Sequence, residues 1–250
     1  MLMRLYLCSL ITEEPLFFAS KEISNMYVTA PYVGNYALAY ALHLAPEEYL
    51  GLNEPRYMED LRPLDTYVFP AKFIEYRWTA ESFNSTGEGF YLYMRENIVI
   101  DGPMRSRLEQ KHQKPTEKIK LPVFNSPQIG LLKMIAPESR AFFFVLSKKA
   151  LCLPKFVRLG KFLTKCRIEA TELQFQERTG PFFCKFPLNP VDLAKEYALR
   201  SYSVASLKPV SLIEAVQAEG RHLLFEARIS SSTERLCLPG LVGYFLFNES

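Results

Sequence analysis

The side chains best placed for chemistry are bases. Lys155, Arg158, Lys161, Lys165 and Arg167 fall within thirteen residues that contain no Asp or Glu. Phe156, Val157, Leu159, Phe162 and Leu163 are interleaved with them. Apolar residues at that spacing bury, so the bases are expected on ordered structure. A rigid row of cations can grip a sugar-phosphate chain, with log affinity falling by about 0.7 per log unit of salt for each phosphate neutralised on a single strand. Gly160, between Arg158 and Lys161, would let the backbone approach a phosphate and donate N–H groups. The bland reading of the run is a solvated face. Arg77 next to Trp78 adds a base beside an aromatic, which on a sheet can stack a nucleotide at about 1–3 kcal/mol per base; packing of Trp78 in the core is the other reading.

A second basic window lies in residues 101–128. Arg105, Arg107, Lys111, Lys114, Lys118 and Lys120 face only Asp101, Glu109 and Glu117, and Pro103, Pro115, Pro122 and Pro127 interrupt the stretch. So few apolar residues cannot bury a core face, and a long exposed loop or arm is expected. His112 sits in this arm, where a histidine near RNA could act as general acid or base in strand cleavage. His43 and His222 read as structural or surface residues. The three histidines lack metal-ligand spacing, and neither H-E-x-x-H nor G-x-S-x-G occurs. Glu47-Glu48 and Glu59-Asp60 read as solvated loop carboxylates. Cys8, Cys152, Cys166, Cys184 and Cys237 are odd in number and form no C-x-x-C pair, which points to reduced thiols. Only 11 glycines argue against Rossmann and P-loop phosphate turns. No metal, no cofactor and no enzymatic activity are expected.

The elements that carry these residues come from an ordinary globular composition. In 250 residues, 30 Lys and Arg stand against 27 Asp and Glu, with 48% hydrophobic and 23% charged residues, which excludes disordered and coiled-coil classes. The start, MLMRLYLCSLITEEP, superficially resembles a signal peptide, but Arg4 interrupts it, Glu13-Glu14-Pro15 ends it and no small-residue cleavage site follows. The apolar run 141–146 is far too short to span a bilayer. A soluble, cytoplasmic protein with no membrane partner is expected. Residues 1–11 read as a strand and 16–19 as extended. Helical spacing of Tyr32, Val33, Tyr36, Ala37, Tyr40, Ala41 and Leu44 predicts a helix from Ala30-Pro31 to Ala45-Pro46. A short extended piece is expected at 67–69. Residues 73–83 and 90–94 read as a hairpin around Asn84-Ser85-Thr86-Gly87-Glu88-Gly89. Residues 140–147, RAFFFVLS, read as a fully buried strand, and 167–175 as another. Gly180-Pro181 reads as a turn and Asn189-Pro190-Val191-Asp192 as a capped helix start. Ser211–Glu214 fits either a capping box or a strand edge. Residues 221–229 and 241–247 read as closing strands.

Three stretches, FFASKEISNMY, PYVGNYALAYAL and FVRLGKFLTKCRIE, resemble the Csc-one family of type I-D CRISPR-associated proteins, the Cas-five-type subunit of the type I-D Cascade complex in the RAMP superfamily. The resemblance runs from the first strand to about residue 229. It implies an α+β fold, a ferredoxin-like (RRM-like) RAMP domain over residues 1–180. A basic arm would project at about 101–128, and a β-rich C-terminal extension, 181–250, would pack on the same core. It implies a non-catalytic RNA-binding subunit in antiviral defence. Such a subunit caps the 5′ handle of the CRISPR RNA and touches the backbone subunit, the large subunit and target DNA near the PAM within a hetero-oligomer. Arg158, Gly160 and Lys161 match the family's basic glycine loop, with Lys165 and Arg167 following. Lys21 lies in FASKE, where a base is expected, and Asn35 and Tyr36 lie in the helix motif. Together with Lys155, Arg77, Trp78, Arg105, Arg107 and Lys111 these are the expected RNA contacts; for Asn35 and Tyr36, helix packing is the competing reading. Two other functions stay open. One is a metal-independent endoribonuclease acting on CRISPR repeat RNA, although no Tyr, Lys and His triad maps onto the chain. The other is a protein-only scaffold whose bases dock acidic partners.

Overall fold

The computed structural model describes residues 3–23, 26–45, 57–61, 63–84, 92–94, 97–99, 129–205, 210–240 and 242. Strands come first along the chain: β1 (Arg4–Thr12), β2 (Lys21–Ile23), β3 (Met26–Val28) and β4 (Tyr32–Val33). Two short helices follow, α1 (Asn35–Ala41) and α2 (Tyr57–Leu61). Then come β5 (Thr66–Val68), β6 (Ala71–Glu75), β7 (Trp78–Asn84), β8 (Leu92–Met94), β9 (Asn97–Val99), β10 (Ile129–Ile135) and β11 (Arg140–Ser147). The rest is β12 (Phe156–Leu159), β13 (Thr164–Leu173), β14 (Phe175–Cys184), a 3-10 turn (Pro190–Asp192), β15 (Ala198–Ala205), β16 (Leu212–Ile229) and β17 (Ser232–Pro239). Of the described residues 61% are in strands and 8% in helices, so the protein is mainly β, and α+β overstates its helix.

The central sheet has the order β12-β13-β1-β11-β6-β4, with β5 also on β11. Strand β11 is buried on both faces, as its unbroken apolar run requires. One face of the sheet places Leu5, Phe142, Phe144 and Leu146 against a second antiparallel sheet, β14-β16-β15 with β17 on β16. The other face places Tyr6, Cys8, Leu10, Phe143 and Val145 against α1. Burying a Phe or Leu fully is worth about 1.5–3 kcal/mol, and Phe143, Phe144, Leu5, Leu10 and Leu146 are all fully buried, so these layers hold the fold. Between β11 and β13, where a ferredoxin-like unit would place its second helix, the described chain runs through β12 instead. A third sheet, β2-β3-β10-β7, joins these layers where Ile135 bridges to Leu16 and enters the core under α1, and β8 pairs with β9.

Several expectations change. The long helix shrinks to α1, because Tyr32 and Val33 pair with Lys72 and Ala71 as β4 and Gly34 remains extended. A left-handed His43 (φ 55°) ends it. The expected strand 73–83 breaks between β6 and β7, and β7 pairs with β10, while β8, the described part of 90–94, pairs with β9. Gly180-Pro181 is no turn: both residues lie inside β14, opposite Gly220 and Glu219. Strand β14 is at a sheet edge, where proline costs no ladder bond. The strand reading of Ser211–Glu214 prevails over the capping box, since β16 begins at Leu212. At Asn189 the cap forms, Asn189 Oδ1 accepting from the Val191 N–H at 3.1 Å, but it starts a 3-10 turn. Of 241–247 only Val242 is described, in a bridge to Leu193. The arm at 101–128 lies outside the described residues.

Candidate nucleic-acid interface

The window 155–167 folds as the hairpin β12–β13, with Phe156 opposite Arg167, Val157 opposite Cys166, Arg158 opposite Lys165 and Leu159 opposite Thr164. Strand alternation buries Val157, Leu159, Cys166 and Ile168 under α1 and puts Phe156, Arg158, Lys165 and Arg167 on the opposite face. Their cations are not all free there. The end of β1 supplies the acids the window lacks: Arg158 Nη1 is 3.5 Å from Glu14 Oε2, and Arg167 Nε is 3.3 Å from Glu13 Oε1. Arg167 Nη1 also meets Glu169 Oε1 at 3.0 Å. Arg158 Nη1 donates to the Leu163 carbonyl as well. Lys165 Nζ stands 4.4 Å over the Phe156 ring. Lys155 and Lys161 are exposed, and their side chains have no partner among the described residues.

Gly160 has a purpose other than the expected one. Its φ is +75°, and a Cβ there would lie 2.5 Å from the Phe17 carbonyl oxygen. The Lys161 N–H donates to that same oxygen at 2.9 Å. The glycine thus docks the hairpin on the chain's own backbone, and the donor expected for a phosphate is spent. Thr164 Oγ1 donates to the Pro15 carbonyl, and Phe162 stacks on Phe17 at 5.2 Å.

Beside this hairpin lies a groove of about 730 Å³ between α1 and β12. Arg158, Lys161, Lys165 and His43 reach it, with Tyr32, Tyr36, Tyr40, Tyr57 and Phe156 along the walls and no carboxylate among its described lining. Strand β12 is the sheet's edge. The Ile168 N–H donates to the Lys155 carbonyl, and the Lys165 N–H donates to Glu14 rather than across the ladder. Phe156 and Arg158 therefore sit in non-hydrogen-bonded pairs, and their own N–H groups turn outward to the free edge.

Asn35 and Tyr36 are buried, and their polar atoms serve the core. Asn35 Nδ2 donates to Asp192 Oδ2 at 2.6 Å, Tyr36 OH to Oδ1 at 3.1 Å and Tyr67 OH to Oδ2 at 3.0 Å. Asn189 Nδ2 donates to Asn35 Oδ1 at 3.1 Å. Burial raises the Asp192 pKa above the ordinary carboxylate value; the bonds from Tyr67, Asn35, Tyr36 and Asn189 pull the other way without cancelling it. Asp192 and Tyr67 were not legible as a pair with Asn35; the capped turn at Asn189 was the one local signal. Among the described residues no cluster of His, Cys, Asp or Glu could hold a metal ion, and no helix is long and apolar enough to cross a membrane.

Comparison with known proteins adds the family. The model of the family described as type I-D CRISPR-associated protein Cas5/Csc1 matches residues 3–246. The chain belongs to that family. The resemblance read from PYVGNYALAYAL and FVRLGKFLTKCRIE is confirmed, and the role is type I-D CRISPR-associated. No curated protein matches the chain. Among solved structures, the crystal structure of a CRISPR protein from Archaeoglobus fulgidus is similar at 12% identity and a TM-score of 0.36, covering 95% of this chain and 100% of that one.

The remaining expected contacts of this Cas5/Csc1-family chain lie elsewhere. Lys21 opens β2, and Trp78 opens β7 just after the exposed Arg77, both strands belonging to the third sheet and not to the groove. Lys133, which no sequence pattern singled out, places its ammonium 4.6 Å over the Trp78 ring. Arg105, Arg107, Lys111 and His112 lie outside the described residues.

Proposed function

We propose that this chain is the non-catalytic RNA-binding subunit of a type I-D CRISPR interference complex, holding and capping the 5′ handle of the CRISPR RNA in the groove beside β12. One observation carries the reading: Arg158, Lys161 and Lys165 reach a groove whose described lining contains tyrosines and no carboxylate. Arg158 is shared with Glu14, but Lys161 has no partner among the described residues and Lys165 meets only the Phe156 ring; such cations suit phosphates, and aromatic walls suit splayed bases of a single strand. The outward N–H groups of Phe156 and Arg158 add neutral donors at the same edge. The outer face of the hairpin contributes less, since Glu13, Glu14 and Glu169 answer its arginines. In this reading the subunit works in the cytoplasm within a hetero-oligomer. It contacts the guide-coating backbone subunit, the large subunit and target DNA near the PAM. Its central sheet is a ferredoxin-like sheet that has replaced its second helix with β12; the antiparallel order β13-β1-β11-β6 supports that derivation. Co-expression with the other subunits tests the role. The wild-type complex is expected to retain small RNAs with one common 5′ sequence, and Lys161→Glu with Lys155→Glu to lose them without loss of fold. Unchanged RNA retention in the double variant removes the assignment.

A second reading, metal-independent cleavage of repeat RNA, has one observation in its favour: His43 lines the same groove as Lys161 and Tyr40, giving general acid–base chemistry a position. It predicts cleavage of repeat RNA by the purified chain in EDTA, abolished by His43→Ala.

A further inference from the structure

The third sheet is segregated by charge. The registers of β2, β3, β10 and β7 put Lys21, Ile23, Leu131, Lys133, Trp78 and Ala80 on one face and Glu22 and Glu81 on the other. The first face carries no carboxylate among its described residues, yet Ile23 is 56%, Leu131 38% and Trp78 37% exposed. Apolar and cationic side chains thus share a sheet surface that is open except at Ile135, opposite Trp78, which is buried in the core. From β2 to β7 it spans about 14 Å, at about 4.8 Å per strand.

This face is continuous with the groove at two points. Ser20 lines the groove, and Lys21 is the next residue. Tyr32 also lines the groove. Its hydroxyl donates to Glu214 at 2.9 Å, it pairs with Lys72 of β6, and the next residue of β6, Phe73, meets the Tyr76 ring edge-on at 6.3 Å. The Tyr76 ring meets Trp78 edge-on at 5.4 Å, and Tyr76 is itself 38% exposed. Tyr32, the buried Phe73, Tyr76 and Trp78 therefore form an aromatic line from the groove wall to this face, exposed at Tyr76 and Trp78.

We infer that a single strand of RNA held in the groove continues past Tyr76 onto this face, where Trp78 stacks a base and Lys133 and Lys21 meet phosphates. The inference rests on the RNA reading of the groove. Aromatic side chains on an open sheet bind unstacked bases with little regard to sequence. The Lys133 ammonium over the indole gains little from an exposed cation–π contact, so a base can take its place and leave the ammonium for the neighbouring phosphate.

The test uses the full chain and labelled oligouridine RNAs of six and fourteen nucleotides, followed by fluorescence anisotropy across a salt series. Trp78→Ala is expected to weaken the longer RNA about tenfold, within the range of one lost stacking contact, and the shorter one less than about twofold. Lys133→Gln is expected to lower the salt slope for the longer RNA by about 0.7. Lys161→Glu weakens both RNAs. If Trp78→Ala and Lys133→Gln leave the longer RNA unchanged while Lys161→Glu weakens both, the strand ends in the groove and the inference falls alone. If Lys161→Glu has no effect, the groove reading falls and takes the continuous path with it. Release of a protein subunit from the assembled complex by Trp78→Ala, with RNA affinity unchanged, makes the face a protein contact and overturns the inference too. Near-ultraviolet circular dichroism of each variant separates these outcomes from misfolding.

Discussion

Two charged regions of the molecule are built on opposite terms. At Asp192 one buried carboxylate receives hydrogen bonds from Asn35, Tyr36 and Tyr67, and it joins α1 and β5 to the 3-10 turn. Around β12–β13 three carboxylates answer two of five cations, Arg158 and Arg167, and Lys155 and Lys161 are left without a partner among the described residues. A charge inside a protein has to be answered within the molecule, because removing it from water otherwise costs several kcal/mol. A charge at the surface is answered by solvent and can wait for a polyanion. The first region therefore serves stability and the second, on the proposed reading, recognition; Asn35 and Tyr36, for which RNA contact and helix packing both stood open in the sequence, fall in the first.

Substitutions can break or sharpen that contrast. The largest effect is expected from Asp192→Ala, which strands three donors in the core and should cost about 3–5 kcal/mol in urea unfolding, with RNA lost only as the fold is lost. The same group carries a pH signature. Its folded pKa is raised, so its contribution to stability is full below the unfolded carboxylate value and declines as pH rises through the folded one. The wild type is thus expected to lose stability over that window above about pH 4, and Asp192→Asn to lack that part of the slope. A flat wild-type profile there would contradict the assignment.

Gly160→Ala comes next. A left-handed alanine costs about 1–2 kcal/mol, and the 2.5 Å approach to the Phe17 carbonyl adds strain, so the melting temperature should fall by several degrees. A variant as stable as the wild type would show that the hairpin is not docked on Phe17. Lys155→Glu with Lys161→Glu should do the reverse, reducing RNA affinity about tenfold or more and the salt slope by about 1.4 at unchanged melting temperature. Glu14→Gln frees Arg158 and is expected to tighten RNA about threefold, with a stability change under about 1 kcal/mol, as for an exposed pair. Weaker binding would mean that Glu14 orients Arg158 instead of competing for it. The mildest check concerns cysteine. Burial pushes the Cys8, Cys166 and Cys184 thiols up to about 12, so a thiol reagent near neutral pH should modify exposed Cys152 first and those three only after unfolding.

Much of the architecture was legible locally. The apolar run at 140–147 reads as a strand covered on both sides, and the alternation of Phe156, Val157, Arg158 and Leu159 sorts bases from core once β12 is known to be a strand. What misled were signals whose meaning depends on a neighbour. Pro181 reads as a turn until β14 is known to be an edge strand. Tyr32 and Val33 read as helix until Lys72 and Ala71 offer a ladder. Residues 211–214 fit a helix cap and a strand equally well until β15 pairs with 212–214 on one side and Leu188 bridges to Ile213.

Side-chain type and spacing alone determined that bases and aromatics are concentrated in residues 155–167, that no glycine-rich phosphate loop exists and which family the chain joins. Only the tertiary structure decided which of those bases are answered. Glu13 and Glu14 are some 150 residues from Arg158 and Arg167 in sequence, yet β1 pairs with β13 and brings them within 3.5 Å. Electrostatic attraction falls with distance in space and takes no account of distance along the chain, so a run without acids in the sequence need not be a run without acids in the fold.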